Sequence, residues 1–149
     1  MITRRTMGRL SAAMFLTALA ACAEPPPPPT TVALSIVGGP TMNGGVPAKV
    51  KVYYLASTAK FEAADFFALF DDAEATLGPD LASVDEYLLA PGKTEEDAKS
   101  FLTPPVAIGV IAAFKNIGQP GWRAVAPLAP NTENPIAVIL DGDTVTFGG

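Results

Sequence analysis

The sequence predicts a mainly β protein, a two-sheet β-sandwich with one helix inserted after the second strand. Three observations predict it. Apolar residues alternate with a period of two in several short runs, beginning with Val32, Leu34 and Ile36, which is the pattern of half-buried strands. One stretch alone, Phe61 to Leu77, changes to a spacing of three and four, the stripe of an amphipathic helix. Between the runs stand clusters of glycine, proline, asparagine and aspartate, so that roughly seven or eight short strands are separated by turn signals.

In order along the chain, Val32, Leu34 and Ile36 alternate with Ala33 and Ser35 and form the first strand. Gly38-Gly39-Pro40-Thr41-Met42-Asn43-Gly44-Gly45 follows, a run of turn formers. Pro47 to Leu55 gives the second strand, with Val50, Val52 and Tyr54 on one face and Lys49, Lys51 and Tyr53 on the other. The helix carries Phe66, Leu69, Phe70, Ala73 and Leu77 on its stripe; Ser57 or Thr58 caps its approach and Gly78-Pro79 stops it. Residues 81–90 read as a third strand ended by Pro91-Gly92. Lys93 to Lys99 is acidic and polar, a turn of helix or an exposed loop. Phe101-Leu102 opens a strand that Pro104-Pro105 cuts short. Val106 to Phe114 is apolar on both faces, which places it centrally in a sheet. Gly118 to Gly121 makes a loop, and Trp122 to Leu128 a further strand. Pro135 to Leu140 and Thr144 to Phe147 flank Asp141-Gly142, a favoured two-residue hairpin turn. There is no internal repeat.

The start of the chain has a different character. Arg4, Arg5 and Arg9 precede an apolar run from Leu10 to Ala21, and Leu19-Ala20-Ala21 leads into Cys22, the only cysteine. A basic start, an apolar run and a small-residue cleavage site make a secretory signal. Leu-Ala-Ala-Cys has the order of the bacterial lipobox, so residues 1–21 read as the signal peptide and Cys22 as the lipidated, palmitate-bearing first residue of a lipoprotein. The plain alternative for a lone cysteine is a small buried hydrophobe. The apolar run is too short for a spanning helix, which needs about 20 residues. Arg4-Arg5 hints at twin-arginine export, but the rest of that motif is weak and general secretion fits better. At about 0.8 kcal/mol per buried methylene, several acyl chains would hold the protein permanently. Ala23, where an Asp would favour inner-membrane retention, points to the outer membrane, with the folded part in the periplasm. That compartment is oxidising, yet no cysteine pair remains to form a disulfide.

Residues 22–31 comprise Cys22 and Ala-Glu followed by five prolines and two threonines. Polyproline II at about 3.1 Å per residue makes this a semi-rigid tether of roughly 15–25 Å, with a proline-motif ligand as the less natural reading so close to an anchor. The domain then occupies 32–149. Beyond the signal peptide the chain has seven basic and fifteen acidic residues, a formal charge of −8. That excludes an electrostatic nucleic-acid binder and leaves no attraction to anionic lipid headgroups.

The chain lacks most catalytic chemistry. It has no histidine, and lipid would consume Cys22, which removes the Ser–His and Cys–His arrangements and the usual zinc ligands. Paired carboxylates for glycoside chemistry are offered by Asp71-Asp72, Glu95-Glu96-Asp97 and Asp141/Asp143. The plain readings are the polar side of a helix, a solvated charge run and a hairpin turn. Asp141 and Asp143 lack the spacing of an EF-hand calcium loop. Trp122 suits the sealing of one end of the sandwich, with the Arg123 guanidinium exposed. The reading is a non-enzyme with no metal site and no cofactor beyond the lipid on Cys22.

The domain resembles the outer-membrane lipoprotein of type VI secretion systems, the TssJ family. The loop bearing Asn43-Gly44-Gly45 leads into Pro47-Ala48-Lys49-Val50-Lys51-Val52-Tyr53-Tyr54-Leu55, like the family's Pro-(x)-(x)-Val-(Arg/Lys)-Val-Tyr-(x)-Leu. Phe61 and Ala64-Asp65-Phe66 follow, and then Ile108-Gly109-Val110-Ile111-Ala112-Ala113-Phe114-Lys115 shortly before Trp122-Arg123. Together these cover residues 32–128. The family often has proline after the loop asparagine where this chain has Gly44, which implies a more mobile loop here. The resemblance implies a transthyretin-like sandwich of two four-stranded sheets. It also implies a non-enzymatic scaffold that ties the secretion machine's membrane complex to the outer membrane. The implied partner is the periplasmic C-terminal region of the inner-membrane protein TssM. The implied contact is the first inter-strand loop, here Gly38 to Val46, with Pro40, Thr41, Met42, Asn43, Gly44 and Gly45 as its residues. Met42 is the one large apolar side chain in it and reads as an anchor for a partner pocket, the plain alternative being a simple connector with Met42 tucked onto the domain. Two other readings are an unrelated lipid-anchored periplasmic binding module, such as a pilot or chaperone lipoprotein, and a carboxylate-dependent hydrolase of cell-wall glycans.

Overall fold

The computed structural model describes residues 24–148; the predicted signal peptide and Cys22 lie outside the described residues. Eight strands form two four-stranded sheets. They are β1 (Thr30–Gly38), β2 (Ala48–Leu55), β3 (Leu81–Leu89), β4 (Thr94–Phe101), β5 (Ala107–Ala112), β6 (Arg123–Pro127), β7 (Glu133–Asp141) and β8 (Thr144–Gly148). The first sheet has the order β4-β1-β7-β8 and the second β3-β2-β5-β6. All neighbours are antiparallel except β1 and β7, which run parallel. The expected sandwich of two four-stranded sheets is therefore the observed architecture. Among the described residues no helix is long and apolar enough to cross a membrane.

The core follows from the alternation. β1 buries Val32, Leu34 and Ile36, and β7 and β8 add Val138, Leu140 and Val145 on the same side. The opposing sheet contributes Val50, Val52 and Tyr54 from β2 and Ile108 and Val110 from β5, which pair across the strands. Tyr54 reaches the other sheet, its ring centroid 4.8 Å from that of Phe101. A fully buried valine, leucine or isoleucine contributes about 1.5–3 kcal/mol relative to exposure.

The helical insertion between β2 and β3 covers the outer face of the second sheet. It is not the single helix expected over Phe61–Leu77 but three short ones: α1 (Ala59–Ala63), α2 (Phe66–Asp71) and α3 (Ala73–Leu77). The break has a local cause. Asp65 adopts extended backbone and its carboxylate accepts from the Ala68 N–H at 2.8 Å, so a new helix starts there. Neither expected cap operates at the first start: Thr58 precedes α1 without a side-chain capping bond. The stripe nevertheless does its work. Phe61, Phe66, Leu69 and Leu77 are buried, and the Tyr53 hydroxyl, on the outward face of β2, donates to the Leu69 carbonyl at 2.7 Å. Phe61 lies flat against β5, where a Cβ on Gly109 would come within 2.6 Å of its ring; only glycine fits there. β5 is thus buried on both faces, as its doubly apolar sequence requires.

Four other expectations need correction. Lys93–Lys99 lies mostly in a strand: Thr94–Phe101 pairs with β1 over eight residues. The strand is an edge with almost every side chain in solvent, so no alternation marks it. Phe101 closes that strand and does not open another. In the last hairpin, Asp141 pairs with Thr144, so the two loop residues are Gly142 and Asp143, one position later than expected. Finally, the domain begins two residues early. Thr30 is fully buried in β1 and its Oγ1 accepts from the Asn131 N–H at 2.7 Å, while Asn131 Nδ2 donates to Pro28 O at 2.9 Å.

Candidate functional site

The strand directions sort the loops into two ends. β1 and β7 run parallel, so the loop after β1 and the β7–β8 hairpin share one end. The start of β2 and the end of β5 lie there too, because Val50 pairs with Ala112. At the opposite end lie the start of β1 with its proline-rich approach, the β4–β5 loop and the β6–β7 loop. The tether and the loop Gly38–Val46 therefore sit at opposite ends of β1, a nine-residue strand of roughly 30 Å.

The loop is built around Asn43. Asn43, Gly44 and Gly45 have φ of 48°, 64° and 83°, three successive left-handed residues. Glycine enters this region freely, and asparagine is among the few side chains that tolerate it. Gly44 stands where the family often has proline; a proline, fixed near −65°, could not take this conformation. Asn43 is only 3% exposed and its groups are all engaged. Its backbone N–H donates to Gly142 O in the β7–β8 hairpin at 2.7 Å. Its Oδ1 accepts from the Lys115 N–H at 2.8 Å, and its Nδ2 donates to Pro47 O at 3.2 Å. Asn43 thus ties its own loop to the segment after β5 through its side chain and to the β7–β8 hairpin through its backbone.

Met42 does not project. It is fully buried, with its sulfur against Gly38. Its role as an anchor reaching into a partner pocket is corrected: the apolar side chain gains more from the domain's own core than from solvent. What the loop presents outward is Pro40, Thr41, Gly44, Gly45 and Pro47, all exposed. This surface is small, uncharged and backed by the bonds of Asn43.

Arg123 was expected to leave its guanidinium in solvent. Instead Nη1 donates to the carbonyls of Phe61 at 2.9 Å and Ala64 at 2.6 Å, closing the end of α1. The guanidinium also lies 4.6 Å from the Trp122 ring centroid. Trp122 itself is buried, edge-on to Phe66 at 5.3 Å. Sequence reasoning missed this clamp because its acceptors are backbone carbonyls about 60 residues away.

The carboxylate candidates are not gathered. Among the described residues no three histidine, cysteine, aspartate or glutamate side chains group as a metal site would need. Asp71 and Asp72 are exposed at the junction of α2 and α3. Glu95, Glu96 and Asp97 line the free edge strand. Asp97 accepts from the Tyr87 hydroxyl at 2.7 Å, which lowers its pKa below the usual carboxylate value. Asp141 and Asp143 frame the hairpin.

Comparison with known proteins agrees with this geometry. The family model described as "Type VI secretion lipoprotein, VasD, EvfM, TssJ" matches residues 30–143. No curated protein sequence matches the chain. Among solved structures, the T6SS lipoprotein TssJ1 from Pseudomonas aeruginosa is similar with a TM-score of 0.77 and 28% identity, over 81% of this chain and 96% of that one. Serratia marcescens Lip, a membrane-bound component of the type VI secretion system, is similar at 0.73 and 28%, over 81% and 97%. A chain of a structure described as the type VI membrane complex is similar at 0.69 and 26%, over 80% and 98%.

Proposed function

We propose a function from one premise: this chain belongs to the type VI secretion lipoprotein family. On that premise it is a structural lipoprotein of a type VI secretion membrane complex and acts by binding, not by catalysis. In the finer reading Cys22 is acylated, the lipid sits in the outer membrane, and the domain hangs in the periplasm. There the loop Gly38–Val46 meets the periplasmic C-terminal region of a TssM-like inner-membrane protein.

The observation that carries this reading is the polarity of the domain. The proline-rich approach enters at one end of β1 and the clasped loop leaves at the other. A scaffold bridging two membranes needs its anchor and its contact surface to face opposite ways. The backing by Asn43 adds to it, since a preorganised loop loses little conformational freedom on binding.

Calorimetric titration of residues 24–149 against the periplasmic C-terminal region of the TssM-like protein tests it. The wild-type domain is expected to bind, and Thr41→Arg, at an exposed position without a side-chain capping bond, to weaken binding at least about tenfold, or 1.4 kcal/mol. The melting temperature should not change. Undiminished affinity in both Thr41→Arg and Pro40→Glu would remove the loop from the interface. No binding by the folded wild-type domain would remove the partner.

A further inference from the structure

The end of the sandwich opposite the clasped loop has a composition of its own. The β4–β5 loop reads Leu102-Thr103-Pro104-Pro105-Val106 and the β6–β7 loop Leu128-Ala129-Pro130-Asn131-Thr132, with no charged residue in either. Leu102 is 94% exposed and Val106 52%, the first being the most exposed large apolar side chain among the described residues. The two loops are fastened together and to the sheet. Val106 N–H donates to Leu55 O at 2.8 Å, and Leu128 N–H to Val106 O at 2.9 Å. In sequence the charged residues that bracket the two loops are Lys99 on β4 and Glu133 on β7, outside the loops themselves.

The same end receives the tether, and the tether is shorter than its sequence suggests. Pro28 is held by Asn131 and Thr30 is already in β1. Between Cys22 and Pro28 only five residues intervene, a reach of about 15–20 Å in polyproline II. A lipid on Cys22 would therefore keep the end that carries Leu102 and Val106 within about 20 Å of the headgroups.

We propose that Leu102 and Val106 form a second membrane contact, resting in the headgroup region of a phospholipid leaflet beside the lipid anchor. The inference rests on the acylation of Cys22 argued above. An exposed leucine and valine on a stiff, uncharged tip match an apolar contact, because the domain's formal charge gives no attraction to anionic lipid. The contact would restrict the domain's tilt and aim the clasped loop away from the membrane.

Acylation consumes the only native thiol, so a nitroxide label on Leu102→Cys reports one site. The full lipidated chain is reconstituted in vesicles of phosphatidylethanolamine with a minority of phosphatidylglycerol. Lys115→Cys, exposed at the far end, is the reference. The label at 102 is expected to be several-fold less accessible to an aqueous nickel chelate than the label at 115, and more accessible to oxygen. Equal nickel access at both sites in a chain that floats with the vesicles overturns the contact and leaves the anchor standing. Shielding from both reagents overturns it in favour of a protein neighbour, a second copy. A chain that does not float with the vesicles overturns the anchor and the contact together.

Discussion

At the residue scale, Asn43 decides the shape of the candidate interaction end. Its left-handed backbone and three hydrogen bonds to separate segments do what no neighbouring residue could repeat. Asn43→Ala leaves the Lys115 N–H and the Pro47 carbonyl without their partner and puts a methyl side chain at φ 48°. The expected loss of stability is about 1–3 kcal/mol, the cost of orphaned buried polar groups, and urea unfolding would measure it. A loss under a few tenths would mean that water replaces the side chain. Asn-Gly-Gly is visible in the sequence as a left-handed turn. The acceptors and donors it meets are not, because they come from residues up to about a hundred positions away. Met42 illustrates the same limit. As the one large apolar residue in a polar loop it invites a partner, and only the packed structure reveals the core beneath it.

At the element scale, local chemistry and tertiary pairing each overrode a periodic pattern. The three-and-four spacing over Phe61–Leu77 is real, yet Asp65 restarts the helix in mid-stripe. Asp65→Ala should cost about 1 kcal/mol, the usual worth of a capping side chain, seen as a lower midpoint in thermal unfolding. An unchanged midpoint would show that packing of Phe66 and Leu69 alone sets the break. β4 is the converse case. Nothing in Thr94–Lys99 favours a strand, since both faces are polar and acidic. β1 supplies the pairing partner, and the charges suit an edge strand, where they discourage further pairing.

At the scale of the whole molecule, all three tyrosines are drawn into the architecture. Burial raises the pKa of Tyr53, Tyr54 and Tyr87, with nearby carboxylates adding to it: Glu86 beside Tyr53, Asp85 and Asp97 beside Tyr54, and the Asp97 hydrogen bond for Tyr87. A group whose pKa is raised on folding adds stability that is fully present below its unfolded value, near 10 for tyrosine, and lost as the pH rises through and beyond it. Tyrosinate absorbance is therefore expected to stay low in the folded protein near pH 10 and to appear only above it, together with loss of circular dichroism. Titration of all three near pH 10 with the dichroism intact would contradict the burial of Tyr53 and Tyr54.

The sequence by itself determined the fold class, the alternating faces of β1 and β2, the apolar helix stripe and the doubly buried β5. Each of these depends on the hydrophobicity and spacing of neighbours along the chain, and water acts on them locally. It also carried the family, through the ordered run from Asn43 to Arg123. The tertiary structure alone decided the pairing of β4, the clasp at Asn43, the Arg123 clamp, the burial of Met42, and the gathering of the β7–β8 hairpin and the end of β5 beside the Gly38–Val46 loop. Those features depend on hydrogen-bond partners and directions that exist only once distant segments are in register, and no local period encodes them.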